Sequence, residues 1–330
     1  VTDQHPAPNG NVKTHHSRLT HKPWWPRLKR IAGIGFFVLV AALLISQAQK
    51  IAWDQVLSSL ALYPLSAVWT AAGLTTASLL LYSCFDLLGR RYTGHQLATR
   101  SVMTTTFVSY VFNLNLGSLM GAIAMRYRLY SRLGLGMGEI ARVVSFSLLT
   151  NWMGYLLLAG LLFSLRPPTT PDSWGISRLA LRLTGVLLLA LVLTYLAAAR
   201  YFKQRSFELR GHTIELPSAR LALLQLMIGA SNWLLMAGVI DVLLLHRVDL
   251  ANVIGALLLA AVAGIITHIP GNLGVLEAVF VALLSDQLPT PELLAGLVAF
   301  RLVYFLLPLM LAFVIFVVLE VTARKRQGRP

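Results

Sequence analysis

The chain opens with a polar, basic stretch and then alternates long apolar runs with short basic or turn-rich segments. Ile31 to Ala48 is the first run long enough to cross a bilayer, which takes about 20 apolar residues as a helix. Lys22, Arg27, Lys29 and Arg30 precede it, and Trp24 and Trp25 suit the headgroup layer. Ile51 to Leu62 mixes Trp53, Asp54 and Gln55 with leucines and predicts a short interfacial helix. Leu65 to Leu88, Val143 to Leu165, Leu179 to Ala199, Leu221 to Leu245 and Leu293 to Leu319 predict further spans, the last kinked at Pro308. Ser206 to Pro217 alternates enough for a small hairpin.

Two apolar runs depart from this pattern. Ser101 to Met125 carries Asn113, Asn115, Gly117, Ser118 and Gly121 near its middle. Ala251 to Leu284 is interrupted by Pro270, Gly271, Asn272 and Gly274. Irregular backbone at membrane depth needs protein or water around it, because lipid offers no hydrogen bonds. Such turn-formers therefore predict helices that enter the bilayer and turn back. The two breaks also match faintly, Gly121 to Arg126 against Gly271 to Leu276, both small-x-apolar-small-apolar.

Charge decides between crossing and turning back, because Lys and Arg collect in cytoplasmic loops. If every apolar run crosses, 17 of the 28 basic residues lie inside and 10 outside, with Arg301 left within a span. If the two interrupted runs each return to their own side, the counts become 22 and 5. The expected fold is thus an all-α polytopic membrane protein with about six full spans and two oppositely facing re-entrant hairpins, a possible inverted repeat. Residues 31–319 form one transmembrane domain. A disordered basic tail of residues 1–30, which does not read as a cleavable signal, precedes it, and a basic tail of residues 320–330 follows. Both tails are expected in the cytoplasm.

Composition agrees. Apolar residues are 56% of the chain, charged residues 12%, and mean hydropathy is +0.69. Soluble domains carry about 25% charged residues. The net charge of +15 does not predict nucleic-acid binding, because the basic residues sit in clusters between spans rather than on one soluble face. Cys84 is the single cysteine, so no disulfide or thiolate metal site is expected. No nucleotide loop, zinc-protease motif or nucleophile elbow appears, and neither an enzyme nor a cofactor is expected.

Ionisable groups inside a membrane are costly and so are candidates for function. Arg301 lies within the last span, and Glu277 follows the second break closely enough to pair with it. Arg126 and Arg128 close the first hairpin, and arginine forks match phosphate oxygens. Asp86 and Arg90, four apart on one helix, predict an interfacial ion pair. Asn113, Asn115, Asn151 and Asn232 predict interhelical hydrogen bonds, with lining of a polar path as the alternative for some of them. His268 reads as a satisfied buried histidine.

Several of these segments carry a family resemblance. Phe85-Asp86-Leu87-Leu88, the run from Met125 to Gly134, Thr150-Asn151-Trp152 and the run from His268 to Glu277 resemble the YbhN-like inner-membrane proteins of the lysylphosphatidylglycerol synthase/flippase transmembrane-region family. The resemblance covers roughly Trp24 to Glu320. It implies a bacterial inner-membrane domain like the one the larger synthases use to move phospholipids between leaflets. The chain departs from the family at Asn272, where glycine is usual, and at Leu276, where many members place arginine. No loop here has room for the soluble aminoacyl-transferase domain of those synthases.

The leading expectation is a flippase-like translocase of phospholipid, its anionic headgroup met by Arg126, Arg128, Glu277, Arg301 and Asn151. The re-entrant turns would be formed by Asn113, Asn115, Gly117, Gly121, Pro270, Gly271 and Gly274. Two other readings stand beside it: a proton-coupled small-solute transporter with Glu277 as proton carrier, and a non-transporting membrane partner of a lipid-synthesis enzyme.

Overall fold

The structure is a computed structural model. It describes residues 63–117, 119–202, 206–209, 212–267 and 269–327, together with positions 54 and 58, which are helical. The expected first span, most of the interfacial helix, Ser118 and His268 lie outside the described residues.

The apolar runs fold as helices in the expected order. Helix α1 (Leu65–Ser83) continues past Cys84 into α2 (Phe85–Thr93), which ends at left-handed Gly94. Helix α3 (Thr99–Leu116) is followed by a π-helical segment, π1 (Leu119–Met125), and by α4 (Arg126–Arg132). Helices α5 (Met137–Leu165) and α6 (Arg178–Tyr201) pack along each other, and Ser177 caps α6 by accepting from the Ala180 N–H. The expected hairpin forms as β1 (Ser206–Leu209) paired antiparallel with β2 (His212–Glu215). Helix α7 (Ala219–Leu243) is capped by Ser218. Helix α8 (Leu250–Thr267), a turn at Pro270–Asn272 and α9 (Val275–Leu284) follow. The chain closes with α10 (Thr290–Phe300), a second π segment, π2 (Arg301–Leu306), and α11 (Leu307–Gln327). The expected irregularity at Pro308 therefore takes the form of a widened helical turn just before it. Proline has no N–H to give to the preceding turn, and a π segment absorbs that loss without breaking the helix.

Among the described residues, six helical segments are long and apolar enough to cross a membrane. Five are the expected spans, four lengthened by a few residues and that of α7 shifted by two. The sixth is α8, 18 residues long. Its successor, the 10-residue α9, brings the chain back towards the start of α8: the Asn252 amide donates to the Gln287 side chain at 3.0 Å. The first interrupted run does the same. Gly117, at φ 86°, opens a turn that suits a residue without Cβ, and π1 then lies on α3 so closely that a Cβ at Gly121 would sit 2.0 Å from the Asn113 nitrogen. Tyr130 on α4 shares a buried cluster with Val102 near the start of α3. Both interrupted runs are helical hairpins that return to the face they left.

The hairpins open on opposite faces. One face gathers Arg90, Leu97, Arg132 and Glu320. The other gathers Tyr63, whose hydroxyl donates to the Leu243 carbonyl, and the pairs Arg166–Asp249 and Arg247–Glu292. Helices α5 and α7 cross between them in direct backbone contact. A Cβ at Gly154 would sit 2.1 Å from the Gly229 carbonyl carbon. Small residues allow such approach where no hydrophobic effect drives helices together.

The faint match between residues 121–126 and 271–276 does not mark equivalent structure. The first stretch is helical and the second is the turn itself. The corresponding tips are Gly117 and Gly271.

Gly154→Ala forces α5 and α7 apart and should destabilise the protein by about 1–3 kcal/mol, read as a lowered melting temperature in detergent. Gly138→Ala, where a Cβ meets nothing within 4 Å, should leave the melt within about 0.5 kcal/mol of wild type.

Candidate functional site

The expected contact between Arg301 and Glu277 is present, and it closes the tip of the second hairpin. Arg301 stands at the start of π2, 11 residues after the first residue of α10. Its Nε donates to Glu277 Oε1 and one Nη donates to Oε2 at 2.9 Å, a two-pronged grip. The same guanidinium donates to the Gly271 carbonyl at 3.0 Å and the Asn272 carbonyl at 2.8 Å. Four of its five N–H groups are thus spent on one hairpin. Phe305 lies 5.4 Å from the guanidinium, close enough for a cation–π contact. Arg301 and Glu277 remain 14% and 16% exposed, so the pair is reachable from outside the protein.

The tip is held from three sides. Gly271, Asn272 and Gly274 all have positive φ, which reverses the chain within a few residues. The Asn272 amide donates to the Ala260 carbonyl of α8 at 3.2 Å. It fills the space above Gly264, where a Cβ would collide with Asn272 Oδ1 at 1.6 Å. The tip also meets the first hairpin: a Cβ at Gly271 would sit 3.2 Å from the Asn115 carbonyl oxygen. Asn115 donates to Val111 O at 2.9 Å and to Phe305 O, in π2, at 3.4 Å. The two hairpin tips and π2 converge on one place.

Arg126 occupies a second, deeper lock. Its side chain is 1% exposed and that of Asp86 is 0% exposed. Nε donates to Asp86 Oδ2 at 2.9 Å and Nη2 to Oδ1 at 3.2 Å. Further bonds run to Ala122 O at 3.0 Å and Ser147 Oγ at 3.3 Å. The Tyr130 hydroxyl donates to Asp86 Oδ2 at 2.8 Å. The expected Asp86–Arg90 pair is therefore not formed. Asp86 turns inward to the hairpin, while Arg90 turns to the following loop and donates to Leu97 O at 2.9 Å and Thr99 Oγ1 at 3.1 Å.

The remaining sequence-predicted residues lie elsewhere. Arg128 is half exposed at the rim of the first hairpin and bonds Glu320 of α11 at 3.0 Å. Arg132, one turn on, bonds the same carboxylate, whose hydrogen bonds hold the Arg132 proton more firmly than usual. The Asn151 carbonyl on α5 accepts from Trp233 Nε1 at 3.3 Å. Asn113 supports the first turn through its backbone, accepting from the Gly117 N–H at 2.9 Å. Asn232 makes its expected interhelical hydrogen bond, within a buried hydroxyl cluster that sequence reasoning missed. Ser78 Oγ donates to Asn232 Oδ1 at 2.9 Å and lies 2.7 Å from the Tyr304 hydroxyl, which is 3.3 Å from that of Tyr110. Tyr304 is one turn beyond Arg301 in π2. Its only sequence signal was a hydroxyl inside an apolar run. A cleft of about 300 Å³ on the face of Tyr63 is lined by Leu243, Arg247, Leu288 and Glu292 and holds none of the predicted residues. Among the described residues no group of three or more His, Cys, Asp or Glu could hold a metal.

Two outcomes follow from these locks. Asp86→Ala leaves a buried arginine unpaired and should cost about 3–5 kcal/mol, while Asp86→Ala with Arg126→Leu should recover part of that loss in a double-mutant melt. Gly264→Ala should destabilise through its collision with the Asn272 amide, and adding Asn272→Gly should relieve the collision; equal losses with and without Asn272 would refute the contact.

Comparison with known proteins agrees with this architecture. Residues 30–312 match the family model described as the lysylphosphatidylglycerol synthase transmembrane region. The inner membrane protein YbhN of Escherichia coli (strain K12) is 41% identical over 308 residues, which cover 93% of this chain and 97% of YbhN. An uncharacterized protein of Synechocystis, slr0712, is 29% identical over 92% of this chain and 97% of its own length. With six membrane-length helices and a match over most of its length, the chain is a polytopic membrane protein related to lipid handling, and it belongs to the lysylphosphatidylglycerol synthase transmembrane-region family.

Proposed function

We propose that this protein moves phospholipid between the leaflets of a bacterial inner membrane, without itself catalysing covalent chemistry. The observation that carries this reading is the meeting of two oppositely facing hairpin tips around Arg301 and Glu277. Opposed broken helices that meet inside a membrane are the arrangement in which transporters give a polar group passage. The Arg301–Glu277 pair is partly exposed and offers both signs of charge. A headgroup would follow the seam between the hairpins while its acyl tails stay in lipid.

The basic face, with Arg90, Arg132 and the segment Arg324-Lys325-Arg326, is assigned to the cytoplasm by its excess of arginine and lysine, and both termini with it. The first hairpin then enters from the cytoplasm and the second from the periplasm. Both carboxylate oxygens of Glu277 are taken by Arg301, which favours a lock over a free proton carrier. A lipid-synthesis enzyme remains a candidate partner, suggested by the family name of the larger synthases alone.

In liposomes holding a labelled anionic phospholipid, the purified wild type should exchange lipid between leaflets. Arg301→Ala and Glu277→Ala should slow it about tenfold or more, a loss of about 1.4 kcal/mol or more in the barrier-lowering interaction. Absence of exchange by wild type across varied pH and membrane potential would remove the proposal. Single cysteines at Gly136 and Ser285, in a Cys84→Ala background, should label from the cytoplasm and the periplasm respectively. The topology is falsified if Gly136→Cys labels from the periplasm.

A further inference from the structure

Arg126, Arg128, Arg132 and Arg301, on the first hairpin and the last helical rod, divide into two kinds. Arg126 and Arg301 each spend four of five N–H groups on protein oxygens. Arg128 and Arg132 together spend three of their ten on Glu320, and the described residues offer them no other hydrogen-bond partner. Arg128 and Arg132 are also 50% and 36% exposed. The arginines with donors to spare are at the rim, not in the membrane.

Their geometry is that of an oxyanion site. They stand four residues apart on α4, so they share one side of the helix. Arg132 donates to both oxygens of one carboxylate and Arg128 to one of them, at 2.5–3.0 Å. A phosphate presents a similar oxygen spacing with more acceptor oxygens, and so suits two arginine forks at once. Two arginines against one glutamate leave the cluster one positive charge in excess, and Arg324-Lys325-Arg326 follows Glu320 by little more than one turn of sequence. Arg128 also lies 5.5 Å from the Phe316 ring of α11, a cation–π contact that restricts its fork.

We propose that Arg128 and Arg132 form a binding site for a phosphate-bearing anion, with Glu320 as its displaceable internal occupant. The source favoured by the surroundings is a lipid headgroup. Leu133, next to Arg132, and Met137, the first residue of α5, are exposed by 40% and 66%, and Phe313 and Val317 of α11, on the turns before Glu320, are exposed as well. Apolar surface of this kind beside a charged rim fits acyl chains under a headgroup. This site concerns binding on one face and does not require that lipid cross the membrane. Occupation would break the ion-pair tie between Glu320 of α11 and the first hairpin, leaving the Phe316 contacts.

The test is binding, read separately from transport. The full-length protein in detergent is titrated with phosphatidylglycerol, with phosphatidylcholine, and with inorganic phosphate, and followed by thermal melting and by native mass spectrometry of bound lipid. Wild type should prefer phosphatidylglycerol over phosphatidylcholine by about tenfold or more. Arg128→Gln with Arg132→Gln should lose that preference. Glu320→Gln keeps both arginines and removes the competitor, so it should strengthen the preference; this variant carries the test if the double variant does not fold. Inorganic phosphate matching the lipid's effect would support the phosphate chemistry and overturn lipid as its source. A double variant that keeps the wild-type preference, or a Glu320→Gln variant that does not gain, overturns the proposal.

Discussion

A helix that turns back inside a membrane leaves carbonyl groups that its own hydrogen-bond ladder cannot reach, and lipid supplies no donor for them. At the second hairpin the answer is one side chain. Arg301 donates to the Gly271 and Asn272 carbonyls and, with the rest of its fork, to Glu277 on the returning helix. Each member solves a problem for the others. The carbonyls gain a donor, the arginine gains a counter-charge at a depth where a lone one costs about 2.5–3.5 kcal/mol or more, and the glutamate gains the same. Removing any one strands the rest, so the hairpin, its turn and the position of the last helix depend on this one junction.

The same solution recurs at the first hairpin with different residues. Arg126 grips Asp86 with two prongs and returns to the Ala122 carbonyl in π1. Both arginines adjoin a π segment, the less common helical form that recurs at functional sites. The last helical rod, α10 through α11, then touches everything that moves the chain away from plain spanning. It holds the second tip through Arg301, the first tip through Phe305 O and Asn115, and the first rim through Glu320. A shift of this rod would be felt at both hairpins.

Much of this was legible in the sequence, for identifiable reasons. Span positions followed from apolar length, and the hairpins followed from arginine and lysine counts combined with Asn, Gly and Pro at membrane depth. The Arg301–Glu277 contact was legible because both charges sit in apolar surroundings with few other partners. The partner of Asp86 was not. Spacing on one helix pointed to Arg90, whereas the actual partner lies 40 residues on, in a hairpin whose packing no local pattern encodes. Nor do π segments have a residue signature, so Tyr304 and its hydroxyl neighbours stayed unread. Asn272 looked like a departure from a family glycine. In the fold its amide bonds Ala260 O across Gly264, so the extra side chain is a fastening that glycine would lack.

The saturation of Arg126 and Arg301 constrains how a headgroup could use the seam. An arginine with one N–H left cannot offer a phosphate a fork without giving up bonds it already has. At Arg126 that exchange would leave a fully buried carboxylate without its counter-charge. At Arg301 the pair is partly exposed, and the bonds to be exchanged include two to the tip carbonyls. Passage of a headgroup and opening of the second tip would therefore be one event, not two. A phosphate taking the place of Glu277 would leave that carboxylate facing the same opening, where a cationic group on the lipid could meet it. With such a group, net charge in the seam would stay near its resting value, whereas a headgroup without one would add a negative charge there; in both cases Gly271 and Asn272 must find other partners.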